Sequence, residues 1–338
     1  MFLAATPAVA QTMPPACHGD PALAFPSPRI VEIDTSGGPI FGSFTKQSHE
    51  AAFLRPKEVV LTFDDGPMPW ITRSILDTLG AYCARATFFA VGRMAIAYPD
   101  VVRDVAARGH TLASHTMTHP FNMPRMSAAR AQDEIERGFA AVSAAAGHPI
   151  APFFRFPGLA DSAALLDYLQ QRGIAAFTVD VVTNDSYITS PSRLAERTLA
   201  EIERAGGGIV LFHDIKRATA KALPEILKAL RTRGYTIVHL TSAAPVAPRV
   251  ELLADFSDGI AAARKPPGAP PTLMPFYGTV GPNPALAAED PGITRLAPEP
   301  RSRLKGASSP HIANSDGTAT AVSPWKANVR SRRKRAAN

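Results

Sequence analysis

The sequence predicts an α/β protein built from seven β/α units, and three observations support this class. From Glu58 onward, seven short runs rich in β-branched and aromatic residues alternate with amphipathic helical segments. Several of the helical segments open with Ser or Thr and close with Gly, as capped helices do. No apolar run reaches the roughly 18 residues that a membrane helix requires. This alternation is typical of a parallel sheet or barrel with helices on its outside.

The predicted elements alternate along residues 59–240. The strands are VVLTF (59–63), ATFFAV (86–91), HTLAS (110–114), PFFRF (152–156), AAFTVD (175–180), GIVLFH (208–213) and YTIVHL (235–240). The helical segments span residues 72–83, 127–147, 162–173, 190–206 and 218–234. In β/α folds of this kind, ligands and catalytic groups lie at the carboxyl ends of the strands.

The segments that flank these units differ from them in composition. Residues 11–54 predict an irregular N-terminal segment, in which RIVEID (29–34) is a candidate edge strand. Residues 243–338 hold 14 of the chain's 32 prolines and show no sustained apolar periodicity. Such a segment cannot bury enough apolar surface to offset its ordering entropy, so we expect a disordered tail.

The formal net charge of +7 is concentrated near the end of the chain. The last segment contains Lys326, Arg330, Arg332, Arg333, Lys334 and Arg335 with no acid among them. Such a tail is a candidate contact for anionic polymer or lipid, and a solvated end is the simpler alternative. Because the excess charge belongs to a tail and not to a folded face, we expect no nucleic-acid partner.

The first ten residues resemble the end of a secretory signal peptide, with Ala8-Val9-Ala10 as the cleavage site. We therefore expect a periplasmic or secreted protein. In that oxidising setting Cys17 and Cys83 are free to pair, although two unpaired buried thiols fit the sequence equally well.

Two adjacent carboxylates follow the first predicted strand. Asp64 and Asp65 lie in LTFDDGP (61–67), between an apolar run and a Gly-Pro breaker. Like charges this close raise each other's pKa, so the pair is costly unless a cation or a proton lies between them. The alternative is a solvated turn, because Asp-Asp-Gly-Pro also suits a turn.

Other polar residues that core packing would not choose follow the later strands. They are His115 and His119 after the third strand, Arg155 within the fourth, Asp180 and Asp185 after the fifth, and His213 and Asp214 at the end of the sixth. A closed barrel would bring these residues to one mouth, whereas a set of unrelated turns would not.

The histidines of SHTMTH (114–119) are four residues apart, which would place both imidazoles on one side of a helical turn. With a carboxylate from another strand they would form a site that leaves positions open for water, as a catalytic divalent metal needs. Such a pair also occurs by chance on protein surfaces.

Arg155 beside Asp64 would hold that carboxylate ionised. The alternative is an Arg that extends from a strand end toward solvent. His213 has either a structural or a catalytic role. Its predicted convergence with the other polar residues at the strand ends favours a catalytic role.

Five ordered blocks resemble the NodB-homology polysaccharide deacetylases, which form carbohydrate esterase family four. They are TFDDGP, the HxxxH of SHTMTH, the RxP of FRFP, the acidic segment VDVVTND and the LxH of VLFHD, all within residues 55–242. The resemblance implies an irregular (β/α)7 barrel. It also implies metal-dependent hydrolysis of the acetamide of N-acetylglucosamine residues, in a chitooligosaccharide or peptidoglycan type of glycan, with release of acetate.

The family's roles can be carried onto the matching positions. By this resemblance Asp65, His115 and His119 are the ligands of a divalent metal, with zinc expected first and cobalt, nickel or iron as alternatives. Asp64 is the general base, oriented by Arg155, and His213 is the general acid, held by Asp185. A backbone N–H near Gly158 stabilises the oxyanion, and Leu211 completes the LxH block.

Two positions depart from the family pattern. Family members usually have Tyr where this chain has Gly158, and Trp where this chain has Ser186. Sugar stacking then requires Tyr187 or Trp70 as a replacement. The departures leave open hydrolysis of other C–N bonds, in small amides or cyclic ureides. A glycan-binding barrel without turnover is a further alternative, although every inferred ligand, base and acid position is filled.

Overall fold

The computed structural model describes residues 21–25, 29–49 and 53–262. In these ranges the strands are β1 (Arg29–Ile33), β2 (Ile40–Phe41), β3 (Glu58–Asp64), β4 (Thr87–Ala90), β5 (Thr111–Ser114), β6 (Phe153–Phe154), β7 (Ala175–Phe177), β8 (Val181–Val182), β9 (Gly208–His213) and β10 (Thr236–Ser242). The α-helices are α1 (Pro69–Ala81), α2 (Gly92–Ala97), α3 (Pro99–Ala107), α4 (Ala128–Ala146), α5 (Ala163–Gln171), α6 (Pro191–Ala205), α7 (Arg217–Thr232) and α8 (Val250–Ala262).

The strands pair in parallel, and their order curves the sheet into an irregular barrel. The continuous row runs β8, β9, β3, β4, β5, β6, β7. The two ends of this row, β7 and β8, are separated by only residues 178–180, so the row returns to its own start. No β7–β8 ladder closes it among the described residues. The prediction of seven β/α units forming a parallel α/β fold is confirmed.

Two further pairings complete the sheet. The start of β10 pairs with the start of β3, through Thr236 with Glu58 and Ile237 with Val59. Its remainder pairs with β1, so the expected strand at RIVEID forms and lies at the edge of the sheet. The short strand β2 pairs with β7, which attaches the N-terminal segment to the other edge.

Alternation along the strands separates two apolar clusters. Val60 of β3 belongs to a cluster with side chains from the other strands, namely Phe89, Ala113, Phe153, Phe177, Ile209 and Leu211. Val59, Leu61 and Phe63, which point the other way, pack in the cluster that includes the helices. The first cluster is therefore the barrel interior. Asp64, His115, Arg155 and His213 have the same parity as interior residues of their own strands, so they extend the interior at its carboxyl end.

The sequence prediction did not include helices α2, α3 and α8 or strands β2 and β8. Helices α2 and α3 lie between β4 and β5, where we predicted none, and β8 is a separate two-residue strand. Both helices are short, six and nine residues, so their apolar periodicity spans too few turns to stand out. Pro99 at the first position of α3 and buried Val101, Val102 and Val105 are the signals that identify the longer one.

The prediction of disorder after residue 242 does not hold for residues 250–262, which form α8. The apolar residues of α8 recur at helical spacing, and Ile260 is buried against the rest of the fold. Val246 is also buried, and its N–H donates to the carbonyl of Ile150. The proline content of the whole segment hid this local periodicity. Residues 263–338, including the basic end, lie outside the described residues.

Further expectations concern residues that the structure describes only in part. The candidate signal peptide at residues 1–10 lies outside the described residues, as does Cys17. Cys83, in the turn between α1 and β4, is disulfide-bonded. Within the described residues, no helix combines the length and apolar character needed to cross a bilayer.

Candidate active site

The Asp64–Asp65 pair lies in a tight loop that is held from the neighbouring strand. Asp64 ends β3, and Asp65 follows it with a positive φ of 77°. The N–H of Asp214 donates to the carbonyl of Asp64 at 3.2 Å. Asp214 Oδ1 accepts the N–H of Gly66 at 2.9 Å, and Asp214 Oδ2 accepts the hydroxyl of Thr72 at 2.7 Å. The loop is a buried, hydrogen-bonded structure, and the solvated-turn alternative is excluded.

Asp65, His115 and His119 form a buried cluster of three possible metal ligands. One donor atom from each lies within 4.8 Å of the other two. Asp65 Oδ1 is 3.1 Å from His119 Nε2 and 3.6 Å from His115 Nε2. All three side chains are nearly inaccessible to solvent. The expected convergence of these residues, from the ends of β3 and β5, is therefore present.

The histidines converge through a loop and not through a helical turn, which corrects the expectation from their spacing. Residues 115–119 have no helical assignment, and both Thr116 and His119 have positive φ, at 71° and 63°. The N–H of His119 donates to Thr116 Oγ1 at 2.9 Å, which fixes the loop. The two imidazole rings lie 4.9 Å apart between centroids. The two imidazole rings therefore meet as expected, but a loop with positive φ angles brings them together in place of a helical turn.

Arg155 is fully buried, so the alternative of an Arg that extends toward solvent is wrong. Its Nη1 donates to Asp64 Oδ1 at 2.7 Å and to Thr62 Oγ1 at 2.8 Å. The remaining guanidinium N–H groups donate to the carbonyls of Phe177 and Thr178, each at 3.2 Å. The guanidinium carbon lies 4.2 Å from the centre of the Phe89 ring. This set of contacts leaves Asp64 Oδ1 pointing to Arg155 and Asp64 Oδ2 toward His115, at 3.8 Å from its Nε2.

His213 faces the cluster from the end of β9. Its Nδ1 lies 2.7 Å from Asp185 Oδ1, while its Nε2 is 4.0 Å from Asp65 Oδ2. Asp185 Oδ2 accepts the N–H of His213 and the hydroxyl of Thr219, both at 2.7 Å. A carboxylate that accepts from Nδ1 requires the proton on that nitrogen. The Asp185 position, inferred from the acidic block, is thus within hydrogen-bonding distance of His213.

The environments of these groups separate their protonation states. Burial lowers the pKa of His115 to about 4, so its imidazole is neutral at pH 7. Burial also acts to lower the pKa of His213, but the charge of Asp185 and its hydrogen bond raise that pKa to about 9. Burial acts to raise the pKa of Asp65, and the surrounding His119, His213 and His115 hold it well below its usual range. The site therefore contains an ionised carboxylate, a neutral imidazole and a protonated imidazole.

The remaining predicted residues are distributed around this centre. Gly158 is exposed, in the turn that follows β6, and Leu211 lies in the barrel interior two residues before His213. Trp70 is 83% exposed at the start of α1, and Tyr187 is 84% exposed two residues after Asp185. Asp180 does not belong to the site, because its carboxylate accepts the N–H groups of Ser43 and Ile209, at the opposite end of β9.

Sequence reasoning gave no role to two residues near the centre. Asp214 is buried beneath the Asp64–Asp65 loop; burial raises its pKa to about 7, the charge of Asp65 adds to this, and the hydrogen bond from Thr72 opposes it. The sequence signal for Asp214 was its position directly after a strand. The segments DDGP and HD follow β3 and β9, which are adjacent in the sheet. Phe121 stacks edge-to-face with His119, at 4.6 Å between ring centroids. In the sequence, Phe121 could have been identified by its position two residues after the candidate ligand His119.

Known proteins share this arrangement of sequence and fold. The family described as polysaccharide deacetylase matches residues 53–177. A chitooligosaccharide deacetylase of Bradyrhizobium sp. (strain ANU 289) is 32% identical over 195 residues, which are 54% of this chain and 88% of the relative. A peptidoglycan-N-acetylglucosamine deacetylase, PgdA of Listeria monocytogenes, is 31% identical over 184 residues, or 54% of this chain and 38% of that protein.

A solved structure of a deacetylase has a fold similar to that of this chain. The peptidoglycan deacetylase Bd3279 of Bdellovibrio bacteriovorus superposes with a TM-score of 0.60 at 35% sequence identity. The superposition covers 68% of this chain and 63% of that chain, so this chain spans less than two thirds of the solved protein.

Proposed function

The chain belongs to the polysaccharide deacetylase family, and from this premise we propose that it hydrolyses the acetamide of N-acetylglucosamine residues in a glycan. The glycan is of the chitooligosaccharide or peptidoglycan type, the reaction depends on a divalent metal, and the products are acetate and a free amino sugar. The observation that carries the proposal is the buried cluster of Asp65, His115 and His119, flanked by the Asp64–Arg155 and Asp185–His213 pairs.

The donor set of this cluster fits a divalent metal. His115 Nδ1 lies 2.7 Å from the carbonyl of Arg155, which can only accept, so the proton is on Nδ1 and the lone pair is on Nε2. That Nε2 faces Asp65 Oδ1, a buried oxygen that receives no hydrogen bond within the described part of the chain. A carbonyl that orients a ligating histidine in this way is a usual feature of metal sites. Two imidazoles and one carboxylate suit zinc first, and cobalt, nickel or iron as well.

A bound divalent cation supplies a Lewis acid that polarises the acyl oxygen and makes water more acidic. The other chemical roles fall to side chains. Asp64 is the general base: Arg155 binds its Oδ1, and its Oδ2 is the oxygen nearer the cluster, free to take a proton from the attacking water. Because Arg155 is also held by three other acceptors, the orientation of Asp64 is set before substrate binds.

His213 is the general acid. A pKa near 9 keeps its imidazole protonated at neutral pH, and the Asp185 contact leaves Nε2 facing the cluster. Nε2 therefore donates its proton to the nitrogen of the departing amine. The attacking water adds to the acyl carbon, and protonation of the nitrogen then allows the C–N bond to break with release of the free amine.

Further residues bind the substrate in this proposal. A backbone N–H near Gly158 stabilises the oxyanion. Leu211 supplies the apolar wall for the acetyl methyl group. Trp70 and Tyr187 are candidates for contact with sugars, since both rings are exposed beside catalytic segments.

The remaining parts of the proposal concern location and organisation. Residues 55–242 form the catalytic domain, and residues 11–54 and 243–338 flank it. We assign a periplasmic or secreted location, which the resemblance of residues 1–10 to a signal peptide and the disulfide at Cys83 support. The basic end contacts anionic polymer or lipid. Deleting residues 263–338 tests this, because salt-dependent binding to an anionic polymer that survives the deletion contradicts it.

The central experiment measures acetate release from N-acetylglucosamine oligomers and from peptidoglycan. It uses metal-stripped protein with and without added zinc or cobalt, together with Asp64→Asn. Asp77→Asn is the matched control, because Asp77 is an exposed carboxylate on α1 paired with Arg108. We expect metal to restore release in the native protein and in Asp77→Asn but not in Asp64→Asn. Hydrolysis of a small amide with no release from either glycan would favour the C–N hydrolase alternative, and glycan binding unchanged by Asp64→Asn without release would favour a non-catalytic barrel.

A further inference from the structure

Phe121 is an exposed aromatic residue whose ring lies against the candidate metal cluster. It is 67% exposed, although it directly follows the His119-Pro120 segment. Single exposed apolar residues are common and need no explanation. An aromatic ring beside a buried polar cluster differs, because it adds an exposed apolar surface directly next to the candidate metal ligands.

The ring contacts His119, and the backbone on both sides of Phe121 is held. Its centroid is 4.6 Å from that of His119, at an interplanar angle of 85°. The chain before it is fixed by the hydrogen bond from the N–H of His119 to Thr116, and the chain after it is anchored by Met123, which is buried. A side chain on an anchored backbone loses less conformational entropy when a ligand packs on it than one on a mobile loop.

The same ring occupies the space above Gly158. A Cβ built on Gly158 would lie 3.3 Å from Phe121 Cδ1 and 3.8 Å from Cε1. Gly158 also has a φ of +62°, a conformation that disfavours any side chain. A large side chain at position 158 and the ring of Phe121 therefore exclude each other. The loop after His119 therefore places an aromatic ring directly beside position 158.

We propose that Phe121 is a specificity-determining residue that packs against a sugar ring of the substrate beside the metal cluster. The inference rests on the proposed function and names the residue that binds the N-acetylhexosamine ring. The apolar face of a pyranose, formed by its axial C–H groups, packs on the exposed face of the phenyl ring, and burial of this apolar surface stabilises the complex. Because the ring adjoins both His119 and Gly158, the sugar in contact is the one that carries the reacting acetamide or its immediate neighbour.

The test compares KM, kcat and metal affinity in four variants. Phe121→Ala removes the ring, Phe121→Leu keeps apolar volume without an aromatic face, and Phe121→Tyr keeps the face. Phe256→Ala is the control, since Phe256 lies on α8 and packs against Arg137, away from the cluster. The substrate is tetra-N-acetylchitotetraose with zinc-loaded enzyme, and zinc affinity is measured separately by competition with a chelator.

We expect Phe121→Ala to raise KM about tenfold with kcat and zinc affinity within about twofold, where tenfold corresponds to about 1.4 kcal/mol. Phe121→Leu should recover part of the loss, and Phe121→Tyr most of it. An unchanged KM in Phe121→Ala overturns the inference. A fall in zinc affinity and kcat at constant KM also overturns it, because the ring would then only support His119. Failure of the native enzyme to release acetate would instead contradict the proposed function.

Discussion

Asp64 and Arg155 form an ion pair enclosed by the barrel, with Arg155 Nη1 2.7 Å from Asp64 Oδ1. The guanidinium has no exposed surface, and its remaining donors bind Thr62 and the carbonyls of Phe177 and Thr178. Removing two charges from water costs several kcal/mol per ion, so such a pair persists only where its hydrogen bonds are satisfied. The pair joins the ends of β3 and β6 and sets the direction of the candidate base.

Arg155→Lys tests whether this orientation matters. Lysine keeps the positive charge but lacks the planar fork that binds Asp64 and the two carbonyls together. We expect kcat for acetate release to fall about 100-fold, the lower end of what a positioned base contributes. Zinc affinity should change little, because Arg155 contacts the candidate ligand His115 only through its backbone carbonyl, which the substitution keeps. The control is Arg204→Lys, whose side chain is on the surface of α6. A variant with native kcat would show that Asp64 needs no guanidinium.

Asp185→Asn tests the protonation of His213. Burial acts to lower the pKa of His213, and the charge of Asp185 is the largest effect that raises it, to about 9. Loss of that charge lowers the pKa. Because a general acid must be protonated, kcat should fall above pH 9 in the native enzyme and from a lower pH in the variant. The alkaline limb of the pH profile of kcat, recorded from pH 6 to 10, measures this shift.

The matched control for this shift is Ser186→Ala. Its hydroxyl lies 3.5 Å from His213 Nδ1 but carries no charge, so the alkaline limb should stay in place. The same pKa has a consequence for stability. A histidine whose folded pKa exceeds the unfolded value of about 6.5 stabilises the fold fully below that pH and loses the contribution as pH rises through about 9. An alkaline limb that does not move in Asp185→Asn would remove His213 from the role of acid.

The succession of strands and helices along the chain and the convergence of polar residues could be predicted from the sequence, because both follow from local patterns. A buried strand reads as an apolar run, and a polar residue directly after it must lie at the carboxyl end of the sheet. Asp64, His115 and His213 illustrate this, since each lies at the end of a predicted strand. The roles of these residues are still predictions that the proposed experiments test.

What could not be predicted depends on contacts between distant segments. The approach of Phe121 to Gly158 joins residues 37 positions apart and follows from backbone angles at Thr116, His119 and Gly158 that no residue pattern specifies. The helix α8 was hidden by the proline-rich composition around it. The residue before it, Arg249, lies 3.5 Å from Glu136, a buried acid of α4 that looks like a surface residue in the sequence.

Gly66→Ala tests the contact between the loop and Asp214. A Cβ at position 66 would overlap the Asp214 carboxylate, which also binds the N–H of Gly66. Relief of the overlap must move backbone next to Asp65, so we expect a loss of about 1–3 kcal/mol in the free energy of unfolding and weaker zinc binding. Gly80→Ala is the control: a Cβ there meets nothing within 4 Å, and in α1 it should be neutral or stabilise by up to about 1 kcal/mol. Equal stability of the two variants would contradict the prediction.

Glu136→Gln tests how the segment after β10 is held. Glu136 accepts hydrogen bonds from Tyr168 and from Arg172 Nε, both at 2.7 Å, and lies 3.5 Å from Arg249 Nε. Arg172 also donates to the carbonyl of Ala247, so this buried acid joins α4 and α5 to the chain that leads into α8. Glutamine has one acceptor oxygen, and its amide would face arginine donors. Hydrogen bonds to charged groups contribute about 1.5–3 kcal/mol, and solvent partly screens both arginines. We therefore expect the free energy of unfolding, measured with urea, to fall by about 1–3 kcal/mol.

The control for Glu136→Gln is Glu203→Gln, which changes an exposed acid paired with Arg233 at 3.3 Å. Exposed substitutions of this kind stay within about 0.5 kcal/mol. Limited proteolysis distinguishes the two effects further, because loosening of residues 243–262 exposes new cleavage sites in Glu136→Gln alone. If both variants unfold at the same urea concentration, Glu136 does not hold this segment, and the apolar contacts of Val246 and Ile260 must be sufficient to dock it.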